Sequence, residues 1–215
     1  MSHVSTKKSR RGAWILTGSV VVLIGLMALG TRVIPTADVA AATADGIDPG
    51  TYASEHYRDV VVEGITERAV PLAEVAQALA EDPVAAAKKY AVGEGPTATY
   101  SVTVTGVAGE RAANGQLPIT VEGLPEGTTV AVQTGPALMG TALRDATGKI
   151  GFAMFTNQLD FQSVGDKLNQ QMKTELLDKA DPAGLPGKTV TVTGAFQPLN
   201  PSFLLITPVA IEVAQ

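Results

Sequence analysis

The chain has 215 residues, 45% hydrophobic and 17% charged, enough for one ordinary core, and it reads as globular. It holds no cysteine, which excludes a disulfide framework, a thiolate nucleophile, a Cys-ligated metal and a lipobox attachment cysteine. Its net charge of -5 is uneven: Lys7, Lys8, Arg10, Arg11 and Arg32 precede the first acid, Asp38, so residues 33–215 hold 11 Lys and Arg against all 21 Asp and Glu. That surplus of acid repels polyanions and argues against a nucleic-acid partner.

The first element is an apolar run, WILTGSVVVLIGLMALG, from Trp14 to Gly30. A spanning helix needs roughly 20 residues, which the run reaches over 14–34 if Arg32 snorkels. Trp14 stands where an interfacial aromatic would sit, and the basic tail 1–13 precedes the span. The expectation is a single-pass transmembrane anchor in the cytoplasmic membrane, with the N-terminus inside and the bulk of the chain on the extracytoplasmic side. Ala42-Thr43-Ala44 resembles a signal-cleavage site but lies far beyond the run, so an uncleaved anchor is favoured over a cleaved leader. Ser9-Arg10-Arg11, followed by Gly12-Ala13-Trp14, fits a twin-arginine signal poorly.

Residues 35–55, rich in Pro, Gly, Ala and Asp without periodicity, read as a stalk. A helical segment is expected over 56–96. Pro71 suits a first turn, Leu72, Val75 and Leu79 recur at helical spacing, and Asp82-Pro83 restarts a short helix through Tyr90. Gly93-Glu94-Gly95-Pro96 ends it.

Over 97–215 the period falls to two. Tyr100, Val102 and Val104 alternate with Ser101, Thr103 and Thr105; Ile119 with Val121, Val130 with Val132, and Ile150 with Phe152 and Met154 suggest further strands. One helix interrupts them, with Phe161, Val164, Leu168, Met172 and Leu176 along one stripe, Ser163 and Asp166 as its capping pair and Asp181-Pro182 as its stop. Strands over 189–193 and 203–213 close the chain, and Pro208 demands an edge or a bulge. Sparse aromatics and abundant Val, Thr and Ala favour sheet. The fold class is therefore α+β, mainly β: an OB-fold-like barrel with one inserted helix between its third and fourth strands. Gly106 supplies a bend.

The run from Gln133 to Asn169, QTGPALMGTALRDATGKIGFAMFTNQLDFQSVGDKLN, with Gly135-Pro136, Gly140-Thr141, Arg144-Asp145-Ala146, Phe155-Thr156-Asn157-Gln158 and Leu168-Asn169, resembles a bacterial family of predicted periplasmic lipoproteins of unknown function. Members are often encoded beside sugar ABC transporters of the ribose type. The resemblance covers roughly residues 50–215 and implies an exported, membrane-attached domain, accessory to sugar uptake through a transporter or its solute-binding protein, with no established activity. Members often carry a lipid-attachment cysteine; here the anchor helix stands in its place.

The chemistry is sparse. The two histidines are His3 and His56, too few for a triad or a zinc site, and no metal or cofactor is expected. Gly187-Lys188-Thr189 lacks the opening glycine and the following helix of a phosphate loop. What remains is a polar cluster at Arg144, Asp145, Asn157, Gln158 and Asn169. Its structural reading is a turn and brace; its functional reading is a small site whose charged and amide groups hydrogen-bond a sugar. A hairpin through Gly148 would bring Arg144 and Asn157 together. The expectation is a non-catalytic binding or accessory module. The alternatives are an enzyme using Asp145 with Asp160 or Asp166, and an oligonucleotide-binding barrel, which the acidic charge and missing aromatic platform oppose.

Overall fold

The computed structural model describes residues 46–214. The basic tail, the anchor and residues 35–45 of the expected stalk lie outside the described residues. Among the described residues, no helix is long and apolar enough to cross a membrane.

Asp48 opens the helical part: its carboxylate accepts the Thr51 N–H at 2.7 Å, and Pro49 follows in the first turn. Helix α1 (Pro49–His56) runs through a π-helical stretch, Tyr57–Val62, into α2 (Glu63–Arg68). The expected stalk is thus corrected. Residues 49–55 are helical because Tyr52 and Ala53 are buried rather than solvated, a tertiary gain that the weak local periodicity does not announce. A two-residue strand β1 (Val70–Pro71) leads into α3 (Leu72–Glu81), and Asp82 then caps α4 (Pro83–Tyr90) by accepting the Val84 and Ala85 N–H groups at 2.9 and 3.0 Å.

After β2 (Ala91–Val92) come the barrel strands β3 (Thr99–Ala108), β4 (Gln116–Thr120), β5 (Thr129–Gln133), β6 (Thr189–Phe196) and β7 (Phe203–Val213). Pairing runs β3–β4–β5–β7–β6 and returns to β3, parallel only between β5 and β7. This is the closed five-stranded barrel that the element order predicts. β6 holds one edge of β3, while β2, β1 and β4 follow one another along the other. A Cβ at Gly106 would collide with the Thr120 carbonyl oxygen, so glycine lets β4 cross β3 there. Thr193 faces Ala210 but Gly194 faces Pro208, leaving Val209 as the extra residue of a bulge where Pro208 demanded one.

Between β5 and β6 lie the short helix α5 (Ala142–Asp145), the long helix α6 (Gln158–Met172) with a π-helical extension Lys173–Leu177, and α7 (Asp178–Ala180). Asp181, at φ 43°, ends this helical run beside Pro182. Two expectations fail here. Ile150–Met154 is no strand: Phe152–Met154 is a single 3-10 turn, with Ile150 and Phe155 on either side of it buried and Phe152 left exposed. The cap of α6 is not Ser163 with Asp166 but Asn157, whose Oδ1 accepts the Asp160 N–H at 2.9 Å.

There are two apolar cores. The barrel interior, centred on Tyr100 stacked 5.3 Å from Phe196, is joined by Leu72, Val75 and Ala76 of α3. The second core holds Val164, Leu168 and Met172 of α6, all fully buried, against Tyr52, Tyr57 and Val61, with Ala195 and Val209 from the outer barrel face. The α6 stripe thus meets chiefly the α1 region, since α3 already serves the barrel interior. The boundary drawn at 96/97 separates nothing: helices and barrel share both cores.

Candidate functional site

Arg144 lies on α5, 8% exposed. Its guanidinium donates from Nε to Asp145 Oδ1 at 2.6 Å, from Nη2 to Asp145 Oδ2 at 3.2 Å and from Nη1 to the Phe161 carbonyl at 2.8 Å. The same group lies 3.8 Å over the Phe161 ring. Asp145 Oδ2 also accepts from Thr141 Oγ1 at 2.6 Å and from Gln197 Nε2 at 3.1 Å, and Gln197 Nε2 reaches Thr99 Oγ1 at 3.1 Å. The network ties α5 and the first turn of α6 to the start of β3 and the end of β6. Every oxygen of Asp145 is occupied, and the guanidinium is engaged on three sides.

The other cluster residues do not converge on this pair. Asn157 caps α6 and donates to Asp160 Oδ2 at 2.8 Å. Gln158 is exposed, and Asn169, 3% exposed, donates to the Gly140 carbonyl at 2.9 Å, holding the loop before α5 against α6. The expected hairpin through Gly148 is replaced by a helix-to-helix connection, so Arg144 meets Phe161 rather than Asn157. Gln197 and Thr99 escaped sequence reading, since nothing local marks two residues far apart in sequence that the β3–β6 pairing brings together beside Asp145.

Catalytic arrangements find little material. Asp145 is committed to Arg144, Asp160 to the helix cap, and Asp166 is exposed on α6. The His56 ring lies tilted 4.7 Å from that of Tyr52, and its Nδ1 lies 3.5 Å from Asp59. Among the described residues, no group of three His, Asp or Glu is placed to hold a metal. Arg58 holds the Glu175 carboxyl below its usual range through a hydrogen bond on the surface; the pair links the π-helical stretches rather than facing a cleft.

A sizeable opening lies elsewhere. A cleft of about 830 Å³ is lined by Leu79, Val84, Ala87, Ala98, Tyr100 and Pro198, with Lys88 and Glu94 as its charged groups. Through Leu79, Pro83 and Pro198 it continues into a second pocket of about 250 Å³ bounded by Ala76, Thr128, Pro201 and Leu204. Together they form a largely apolar groove between α3, α4 and the loop 197–202 joining β6 to β7. Val84, on its wall, is 65% exposed, and Leu199, in that loop, is 80% exposed.

A family model described as "Predicted periplasmic lipoprotein (DUF2291)" matches residues 20–212. The crystal structure of an OB-fold protein from Thermotoga maritima superposes with a TM-score of 0.60 at 22% identity, covering 79% of this chain and all of that one. The likeness extends to the fold. No curated protein matches the chain.

Proposed function

Because the chain belongs to the family of predicted periplasmic lipoproteins (DUF2291), we propose that it serves outside the cytoplasm as a membrane-held, non-catalytic binding module. That family is of extracytoplasmic, membrane-attached proteins and brings no activity with it. The observation that carries the reading is a contrast. The polar cluster at Arg144 and Asp145 is consumed by its own hydrogen bonds, whereas the open groove beside α3 and α4 is apolar. A free sugar is recognised by converging polar groups, so neither surface suits one. An apolar groove with exposed aliphatic residues suits a segment of another protein. The partner proposed is a ribose-type sugar ABC transporter or its solute-binding protein, for which the domain acts as an accessory.

The attachment proposed is the helix over 14–34, one pass with the N-terminus inside, because the sequence carries no thiol to take a diacylglyceryl group. The binding reading is tested by calorimetry with the purified solute-binding protein and with the detergent-solubilised transporter. Binding to one of them is expected, together with its loss when Val84→Asp places a charge in the groove. A heat trace without binding to either overturns the transporter assignment; binding that survives both Val84→Asp and Leu199→Asp overturns the assignment to the groove.

A further inference from the structure

The sequence Ile150-Gly151-Phe152-Ala153-Met154-Phe155 contains six residues without one polar side chain. Its ends are buried, Ile150 and Phe155 each at 6% exposure. Its middle is not: the turn Phe152–Met154 carries Gly151, Phe152 and Ala153 exposed, Phe152 at 51%. Phe152 is held edge-on to Phe161 at 5.8 Å and so projects from a rigid aromatic base that continues through Phe155 to Tyr52. Leu159, in the first turn of α6, is 71% exposed, and Ile47, just ahead of α1, is 41% exposed. Exposing this much contiguous apolar sequence is costly to a solitary domain and marks a contact surface.

The chain itself indicates what covers it. Gly46, the first described residue, lies against the Thr156 side chain, next to Phe155 at the end of the aromatic segment, so the preceding sequence enters the described domain beside this patch. Eleven residues, 35–45, separate it from the proposed anchor over 14–34; even fully extended they reach no more than about 40 Å, which holds the domain within reach of the bilayer. The nearby charges are mixed, with Asp48, Asp160 and Asp166 beside the exposed Lys149 and Lys167, so no excess of positive charge makes the patch an electrostatic anchor for anionic lipid. We propose that Phe152, Ala153, Leu159 and Ile47 rest in the headgroup–acyl boundary of the outer leaflet, fixing how the domain stands on the membrane. The contact is apolar and insensitive to salt. It rests on the anchoring reading above, and its test separates the two.

The chain has one tryptophan, Trp14, inside the apolar run, and its quenching by brominated phosphatidylcholine reports anchoring in the full chain reconstituted into vesicles. In a Trp14→Phe background, Phe152→Trp places a single indole in the patch, and Leu199→Trp places one in the β6–β7 loop. The expected result is a blue shift and loss of emission at position 152 with bromines near the headgroup, well beyond that at position 199 and unchanged by salt. Leu159→Trp repeats the measurement should substitution at Phe152 disturb the turn. Quenching at Trp14 with none in excess at 152 and 159 overturns the lipid contact while leaving the anchor standing. Quenching at 152 without quenching at Trp14 supports the contact and sinks the anchor; quenching at neither sinks both.

Discussion

Arg144 illustrates how one side chain can resemble a recognition group and serve as a brace. Its guanidinium is buried against Asp145, the Phe161 carbonyl and the Phe161 ring at once, and removing it strips Asp145 of its cation in a site only partly wet. Arg144→Ala is therefore expected to lower stability by roughly 1–3 kcal/mol, read by urea unfolding of residues 46–215. Arg144→Lys is expected to restore little of it, because an ammonium cannot fork across both carboxylate oxygens while lying flat on a ring. Stability equal to wild type in the alanine variant would show the brace to be idle. Arg144 and Asp145 stood out in the sequence as the charged members of the polar cluster; Gln197, 52 residues from Asp145, did not, since a contact made by barrel closure leaves no local trace.

Helix α6 was legible because its burial follows its own period. Val164, Leu168 and Met172 are spaced at four and are fully buried. What it packs against was not legible, since the stripe says that a face is covered and not by what; α1 supplies much of the cover. The failed strand at Ile150–Met154 is a different case: spacing of two put Phe152 and Met154 on the face of Ile150, but the 3-10 turn leaves Phe152 exposed and buries Phe155 instead, so three apolar residues in alternation do not by themselves fix a strand. Leu168→Ala leaves a void between α6 and α1, with an expected cost of about 2–5 kcal/mol. The measurement is again urea unfolding, and a loss under about 0.5 kcal/mol, the range of surface changes, would mean the two helices do not form one core.

At the scale of the whole molecule, the barrel topology was readable from the order of its elements, whereas the division into a helical segment and a β domain was not. Period changes near residue 97 because the chain passes from helix to strand, and that change carries no information about folding units. The cores cross it: Leu72 and Val75 of α3 complete the barrel interior, while Ala195 and Val209 of the barrel complete the helical core. A fragment of residues 97–215 would therefore face water with the sites of Leu72 and Val75 empty and with Val164, Leu168 and Met172 bared where α1 had lain. Each such side chain forfeits about 1.5–3 kcal/mol of burial, and the five together are comparable with the roughly 5–15 kcal/mol by which a whole domain is stable. The expected outcome is that residues 46–215 give one cooperative thermal transition while 97–215 give none and bind a hydrophobic dye. A sharp transition in the shorter fragment would establish the barrel as an autonomous domain and reduce the helices to an appendage.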